Sequence, residues 1–269
     1  MLRSRIATAL VLILITAGAV LFLDSTWVAV LTAAFLLAGA WEWARMAGLA
    51  HTAGRLAYTA AVAAAMTICY WLRDGSLPVM LGAAASVWWL VAAGLIALCQ
   101  AGRLAPSQLR GKAAIGLLVL VPVFSSVIGL HAGADHDVLL FLLILVWAAD
   151  SAAFFAGRRW GRTPLCSAIS PGKTREGLYA ALAAGIGVGS VYAAVRGVHG
   201  MAGLLFLLLC LVTVAVSVVG DLMESLMKRS AHMKDSGSLF PGHGGVLDRI
   251  DSFTAAGPIF FTGVRLLGV

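Results

Sequence analysis

An all-α, polytopic membrane bundle of about nine helices is the architecture this sequence predicts. Three observations carry that reading. Hydrophobic residues fill 61% of the 269 positions and mean hydropathy is +0.97. Charged residues make up only 12%, against roughly a quarter in a soluble domain. Apolar runs near the ~20 residues that cross a ~30 Å hydrocarbon core recur along the chain, and the basic residues fall between them with a one-sided rhythm.

The first run, Ile6 to Leu23, follows Arg3 and Arg5 and imitates a signal peptide, with Ala17-Gly18-Ala19 resembling a cleavage site. It stays apolar to Leu23 with no polar region before that site, so a retained span is expected. The second, Trp27 to Met46, holds Glu42 between Trp41 and Trp43. Paired tryptophans mark an interface belt, which favours a structural role for the acid. Leu56 to Leu72 and Pro78 to Cys99 follow, then Ala113 to Leu130. Val138 to Gly157 carries Asp150 about two turns inside its end, and Gly177 to Val195 is rich in small residues. Met201 to Ser225 and Phe253 to Leu267 complete the set. Small-residue faces, at 60 to 66 and 180 to 190, allow close helix packing in lipid. Packing within the chain is their expected use, although a GxxxG-like face could also join a homodimer.

With the N-terminus inside, all Lys and Arg except Arg73, Arg196 and Arg265 fall on cytoplasmic segments. The facing loop that holds Asp135 and Asp137 has no basic residue. Short basic loops stay cytoplasmic, so a multi-pass protein of the inner membrane with N inside and C outside is expected. The formal charge of +7 then belongs to a membrane face and suits anionic headgroups and phosphates rather than a nucleic acid. Cys69, Cys99, Cys166 and Cys210 are far apart, without metal-ligand spacing, and read as small packing residues. His51, His131, His136, His199 and His232 have no partners at ligand spacing and read as loop or interface residues.

The two halves differ in kind. Residues 1–137 are spans joined by short loops, a scaffold. Residues 138–269 bring acids to the span ends and add two longer loops, 158–176 and 226–252, dense in Gly, Pro, Ser, Lys and Arg. At the end of the eighth run, Asp221, Glu224, Ser225 and Lys228 stand at i, i+3, i+4 and i+7 and share one helix face. An anchoring ion pair and a functional site explain that face about equally well. The segment after it tips the balance: Lys234-Asp235, Pro241-Gly242-His243-Gly244-Gly245, Asp248-Arg249 and Asp251 place a Gly-rich turn among acids and bases. Such a turn lets backbone N–H groups approach phosphate oxygens. Asp221 and Asp248 are the expected ligands of a hard cation such as Mg²⁺, with Asp251 a further candidate. A second cation is compatible with that many acids. His243 is a candidate acid or base. Asp150 calls for a basic partner such as Arg158 or Lys173. The stretch Ser170 to Gly177, with Lys173, Thr174 and Arg175 at a helix start, makes a candidate anion site.

These blocks closely resemble the phosphatidate cytidylyltransferase family, also called CDP-diacylglycerol synthases. The family's C-terminal signature is matched by Ser225, Lys228, Arg229, Lys234, Asp235, Pro241, His243, Gly244, Gly245, Asp248, Arg249 and Asp251. Upstream, Asp150, Ala153, Phe154, Gly157 and Arg158, then Ser170, Pro171, Lys173, Thr174, Glu176 and Gly177, are similar to two further blocks. The family often has Tyr where Phe154 stands, Lys where Gly172 stands and Trp where Arg175 stands. The resemblance implies a reaction of CTP with phosphatidic acid that needs Mg²⁺. It implies catalytic roles for Asp221, Asp248, Lys228, Lys234, His243 and Arg249. Substrate contacts would come from Asp150, Lys173, Thr174, Arg175, Ser225, Arg229, Gly244 and Gly245. A transporter of an anionic phosphorylated solute and a CTP-dependent lipid-alcohol kinase are the competing classes.

Overall fold

Helices close their own backbone hydrogen bonds, which is why apolar runs of this length become helices in a bilayer. The computed structural model describes residues 13–132, 137–237, 239 and 244–268. Among them are nine helices: α1 (Ile13–Phe22), α2 (Ser25–Met46), α3 (Thr52–Trp71), α4 (Leu77–Gln100), α5 (Lys112–His131), α6 (Asp137–Trp160), α7 (Arg175–Val195), α8 (Gly200–Ser230) and α9 (Leu247–Leu267). Six of these, α2 and α4 to α8, are long and apolar enough to cross a membrane. Helix α9 falls short because Asp248, Arg249 and Asp251 occupy its first turns.

The fold is all-α, as expected, with one small hairpin added to the helices. Between α6 and α7, β1 (Pro164–Cys166) and β2 (Ser170–Thr174) pair antiparallel, with Pro164 opposite Thr174 and Cys166 opposite Ser170. Buried Cys166 and Ile169 hold this hairpin against the bundle. Gln100 fastens its turn, accepting from the Ala168 amide at 3.1 Å and donating to Ser167 Oγ at 3.3 Å.

Helix α5 is the central post. In its most apolar stretch 72% of residues are buried, and α2, α3, α4 and α9 surround it. Trp43 Nε1 donates to Lys112 O at 2.7 Å and the Tyr58 hydroxyl to Ala113 O at 3.1 Å, drawing α2 and α3 onto its first turn. The small face of α7 is spent within the chain, as expected: a methyl at Gly185 would meet Val214 of α8 at 2.9 Å and one at Gly189 the Cys210 sulfur at 3.0 Å. All four cysteines are buried and free, consistent with packing roles.

Contacts between helix ends fix an alternating arrangement. At one end, Arg45 near the close of α2 donates to Ser236 O (2.6 Å), and Lys112 at the start of α5 donates to Ser230 O at the close of α8 (3.0 Å). At the opposite end, Thr26 of α2 meets Tyr70 near the close of α3 (3.2 Å), and Tyr192 near the close of α7 donates to Asp137 at the start of α6 (3.1 Å). Arg73, Arg196 and Arg265 stand at the close of α3, α7 and α9, on this far end. The remaining basic residues described stand at the first, basic end. His131, expected in a loop or interface, is instead fully buried at the far end. Its Nε2 lies 3.0 Å from Val20 O and its Nδ1 2.9 Å from Ser25 Oγ. A carbonyl only accepts, so Nε2 carries the proton.

Helix α8 has 31 residues, about 46 Å at 1.5 Å per residue. That exceeds a ~30 Å hydrocarbon core by roughly three turns. The surplus, Asp221 to Ser230, stands at the basic end.

Candidate active site

Three elements meet at that end: the extension of α8, the first two turns of α9, and β2. Helix spacing puts Asp221, Glu224 and Lys228 on one face of α8, which turns toward α9. Lys228 Nζ lies 2.6 Å from Asp248 Oδ1 and 3.3 Å from Glu224 Oε1, joining the two helices. One turn nearer the membrane centre, Asp221 is ion-paired with Lys173, which β2 delivers from the hairpin. Asp251, one turn beyond Asp248, interacts electrostatically with Asp221, Glu224, Asp150 and Lys173. Asp150 of α6 accepts from Ser252 Oγ at 3.1 Å. Four carboxylates thus converge around Asp221 and Asp251, with Asp248 alongside, against two lysines. Their chemistry fits a hard divalent cation, which takes carboxylate oxygens. The two lysines, each ion-paired with one of the sequence-assigned acids, stand where a cation's charge would fall. Among the described residues no three acids are drawn together at ligand distances.

Asp248 sits before the apolar run that begins at Phe253. Burial would raise its carboxyl, but the Lys228 hydrogen bond and the Gly245 and Ser236 amides outweigh that and hold it at about 2. It is therefore ionised at neutral pH. Its Oδ2 accepts from the Ser236 amide (3.0 Å), Ser236 Oγ (2.8 Å) and the Gly245 amide (2.8 Å). Gly245, expected to offer its N–H to phosphate, commits it to Asp248 in this conformation. Gly244 has φ +82°, the left-handed region where glycine carries no Cβ penalty.

The anion site expected at the start of α7 is also differently used. Thr174 caps that helix, its Oγ1 accepting from the Gly177 amide at 3.2 Å. Glu176 accepts from the Arg162 amide at 3.1 Å and the Thr163 amide at 3.3 Å. Only Lys173 of that stretch points into the acid cluster, while Arg175 is exposed on the rim. Arg229 is exposed and steadies the hairpin through Ile169 O at 3.3 Å. Lys234 and Arg249 are exposed, and Ser225 is half-buried beside Glu224. His243 lies outside the described residues.

Sequence reasoning missed the group that fixes this arrangement from the scaffold side. Glu42 of α2, only 8% exposed, accepts from the Val246 amide (3.0 Å), the Leu247 amide (3.0 Å) and Ser236 Oγ (2.9 Å). The available signal was an acid inside an apolar run, costly unless partnered. Ser236 carried none.

The fold and this centre define a polytopic membrane protein with a cluster of acids and bases at one end of its bundle. The chain belongs to the cytidylyltransferase family, whose model matches residues 3–267. It is 40% identical over 261 residues to a phosphatidate cytidylyltransferase of Pseudomonas aeruginosa, covering 97% of this chain and 96% of that protein. To the Haemophilus influenzae protein of the same name it is 35% identical, covering 97% of each. A Bacillus subtilis phosphatidate cytidylyltransferase is 38% identical over 126 residues, covering 46% of this chain and 45% of that protein.

Proposed function

We propose that this protein transfers the cytidylyl group of CTP to phosphatidic acid, giving CDP-diacylglycerol and pyrophosphate. The observation that carries the reading is similarity along nearly the whole chain to two proteins named for that reaction, in a family that the sequence matches end to end. A phosphate oxygen of phosphatidic acid attacks the α-phosphorus of CTP, and the bond from that phosphorus to the bridging oxygen of the β-phosphate breaks. Pyrophosphate leaves with that electron pair. The attacking phosphate is already anionic, so the main demands on the protein are positioning and charge neutralisation.

Lys173 and Lys228, ion-paired here with Asp221 and Asp248, would turn to the phosphates as point charges once those acids held a cation. Arg175, Arg229, Lys234 and Arg249, at the rim, gather the triphosphate and the lipid headgroup, with arginine suited to paired contacts. We assign Asp221, Asp248 and Asp251 to Mg²⁺, which when bound neutralises the phosphate oxygens and the leaving group. The basic end faces the cytoplasm, where nucleotide is available. Residues 138–269 carry the chemistry on the scaffold of 1–137.

Purified protein given phosphatidic acid with CTP labelled at either the α or the γ phosphorus tests the reaction. Label entering lipid from the α position alone is expected. Label entering from the γ position would make the protein a kinase, and solute uptake into vesicles without nucleotide turnover would make it a transporter.

A further inference from the structure

We infer that Glu42, on the scaffold helix α2, is a positioning residue for the transfer, acting through Ser236 and the first turn of α9. This rests on the reaction proposed above. The first N–H groups of any helix lack partners within it, and an anion is favoured beside them. In α9 the residue at the cap position is Val246, whose side chain can accept nothing, and no side-chain cap is made there. Glu42 supplies that cap from nearly the other end of the chain: its two oxygens take the amides of Val246 and Leu247, both at 3.0 Å. Asp248 is the next residue and Asp251 stands one turn further on. The direction in which α9 presents both acids is therefore set by a carboxylate on α2.

Ser236 couples the same carboxylate to Asp248 a second time. Its Oγ lies 2.9 Å from Glu42 Oε2 and 2.8 Å from Asp248 Oδ2. A hydroxyl has one proton, so it donates to one of these two carboxyl groups at a time and follows whichever is the stronger acceptor. Were Asp248 to hold a cation, the hydroxyl would be free to donate wholly to Glu42. Arg45, one turn along α2, pins the Ser236 carbonyl at 2.6 Å, so the serine backbone stays in place while its hydroxyl turns. Close packing closes the arrangement. A side chain at Gly237 or Gly245 would overlap the Glu42 carboxylate and push it from the place where it holds these contacts.

Glu42→Gln keeps the side chain's length but turns one acceptor oxygen into an NH₂ donor. In either amide orientation, the Val246 or the Leu247 amide then faces a donor. The expected result in detergent or nanodiscs is a fall in kcat of about tenfold to a hundredfold, the cost of a small misplacement of reacting groups. The Michaelis constants for CTP and phosphatidic acid stay within about twofold, because the rim cations that gather substrate are untouched. Ser236→Ala on its own also lowers kcat. Added to Glu42→Gln it lowers kcat by much less than it does alone, since both act through one contact. Amide exchange at Val246 and Leu247 speeds up in Glu42→Gln while that of residues 253–267 is unchanged, a readout that needs no activity.

A lower melting temperature with the wild-type kcat per folded molecule would make Glu42 a clasp for stability only and overturn the inference. Unchanged exchange at Val246 and Leu247 would overturn it as well. A wild-type protein that makes no CDP-diacylglycerol would instead strike the reaction itself, and the exchange experiment would still decide whether Glu42 holds the start of α9.

Discussion

The two ends of this bundle both carry acids paired with bases, and they use them differently. At the far end the described polar groups pair an acid or a histidine with groups on neighbouring helix ends. Asp137 takes the Tyr192 hydroxyl and an ion pair from Arg196 at 3.4 Å, and buried His131 lies between Val20 O and Ser25 Oγ. Each set joins helix ends. At the basic end the sets are open and linked: Lys173 to Asp221, Asp221 to Asp251, Glu224 to Lys228, Lys228 to Asp248, Asp248 to Ser236, and Ser236 to Glu42. Acids outnumber lysines there, so charge is left for a ligand to complete. An ion pair at a helix end is therefore a clasp by default. It becomes a site when its neighbours are also charged and do not balance.

Changes at the basic end have the largest expected effects. Removing divalent cations with a chelator abolishes CDP-diacylglycerol formation and added Mg²⁺ restores it, measured as lipid product. Turnover that survives chelation would remove the metal from the account. Asp248→Asn is expected to cost at least ~10²-fold in kcat, the scale of a lost electrostatic contact at a reacting centre. Membrane insertion should be unaffected, which detergent extraction and gel filtration check. Lys228→Met leaves Glu224 and Asp248 facing each other without their shared cation and is expected to lose kcat on a similar scale. It also lowers the melting temperature, because an unpaired buried charge is costly. At the far end the pattern reverses: His131→Ala opens a void and unpairs Ser25, costing ~1–3 kcal/mol of stability with kcat per folded molecule unchanged. A large fall in kcat for that variant would erase the distinction between the two ends.

The spans were legible because a bilayer imposes length and hydropathy on any segment that crosses it, and from Trp27 onward the apolar runs fall within the observed helices or overrun them by one residue, at Leu72. Helix α8 continues to Ser230, past the expected close at Ser225, because its last turns bury Leu226 and Met227 against the bundle while pointing Lys228 at α9. The hairpin was not legible: strands of 3 and 5 residues containing Pro and Gly give no alternating pattern, and what holds them is Gln100 and Arg229, remote in sequence. The acids and lysines of the cluster could be named from their spacing, since Asp221, Glu224 and Lys228 share a face of one helix. Their partners could not. Glu42 read as an interface residue because what it holds lies 194 and 205 positions away. The Gly-Gly turn read as a phosphate cradle, and spacing does not reveal that the Gly245 amide is given to Asp248 in this conformation.

Asp221 and Asp137 offer the most direct test, since each is an aspartate ion-paired with a base, Lys173 at one end and Arg196 at the other. The measurement is CDP-diacylglycerol turnover by purified Asp221→Asn and Asp137→Asn variants side by side. The account predicts a loss of at least ~10²-fold for the first and wild-type turnover for the second. Equal losses, or near-normal turnover in both, would contradict it.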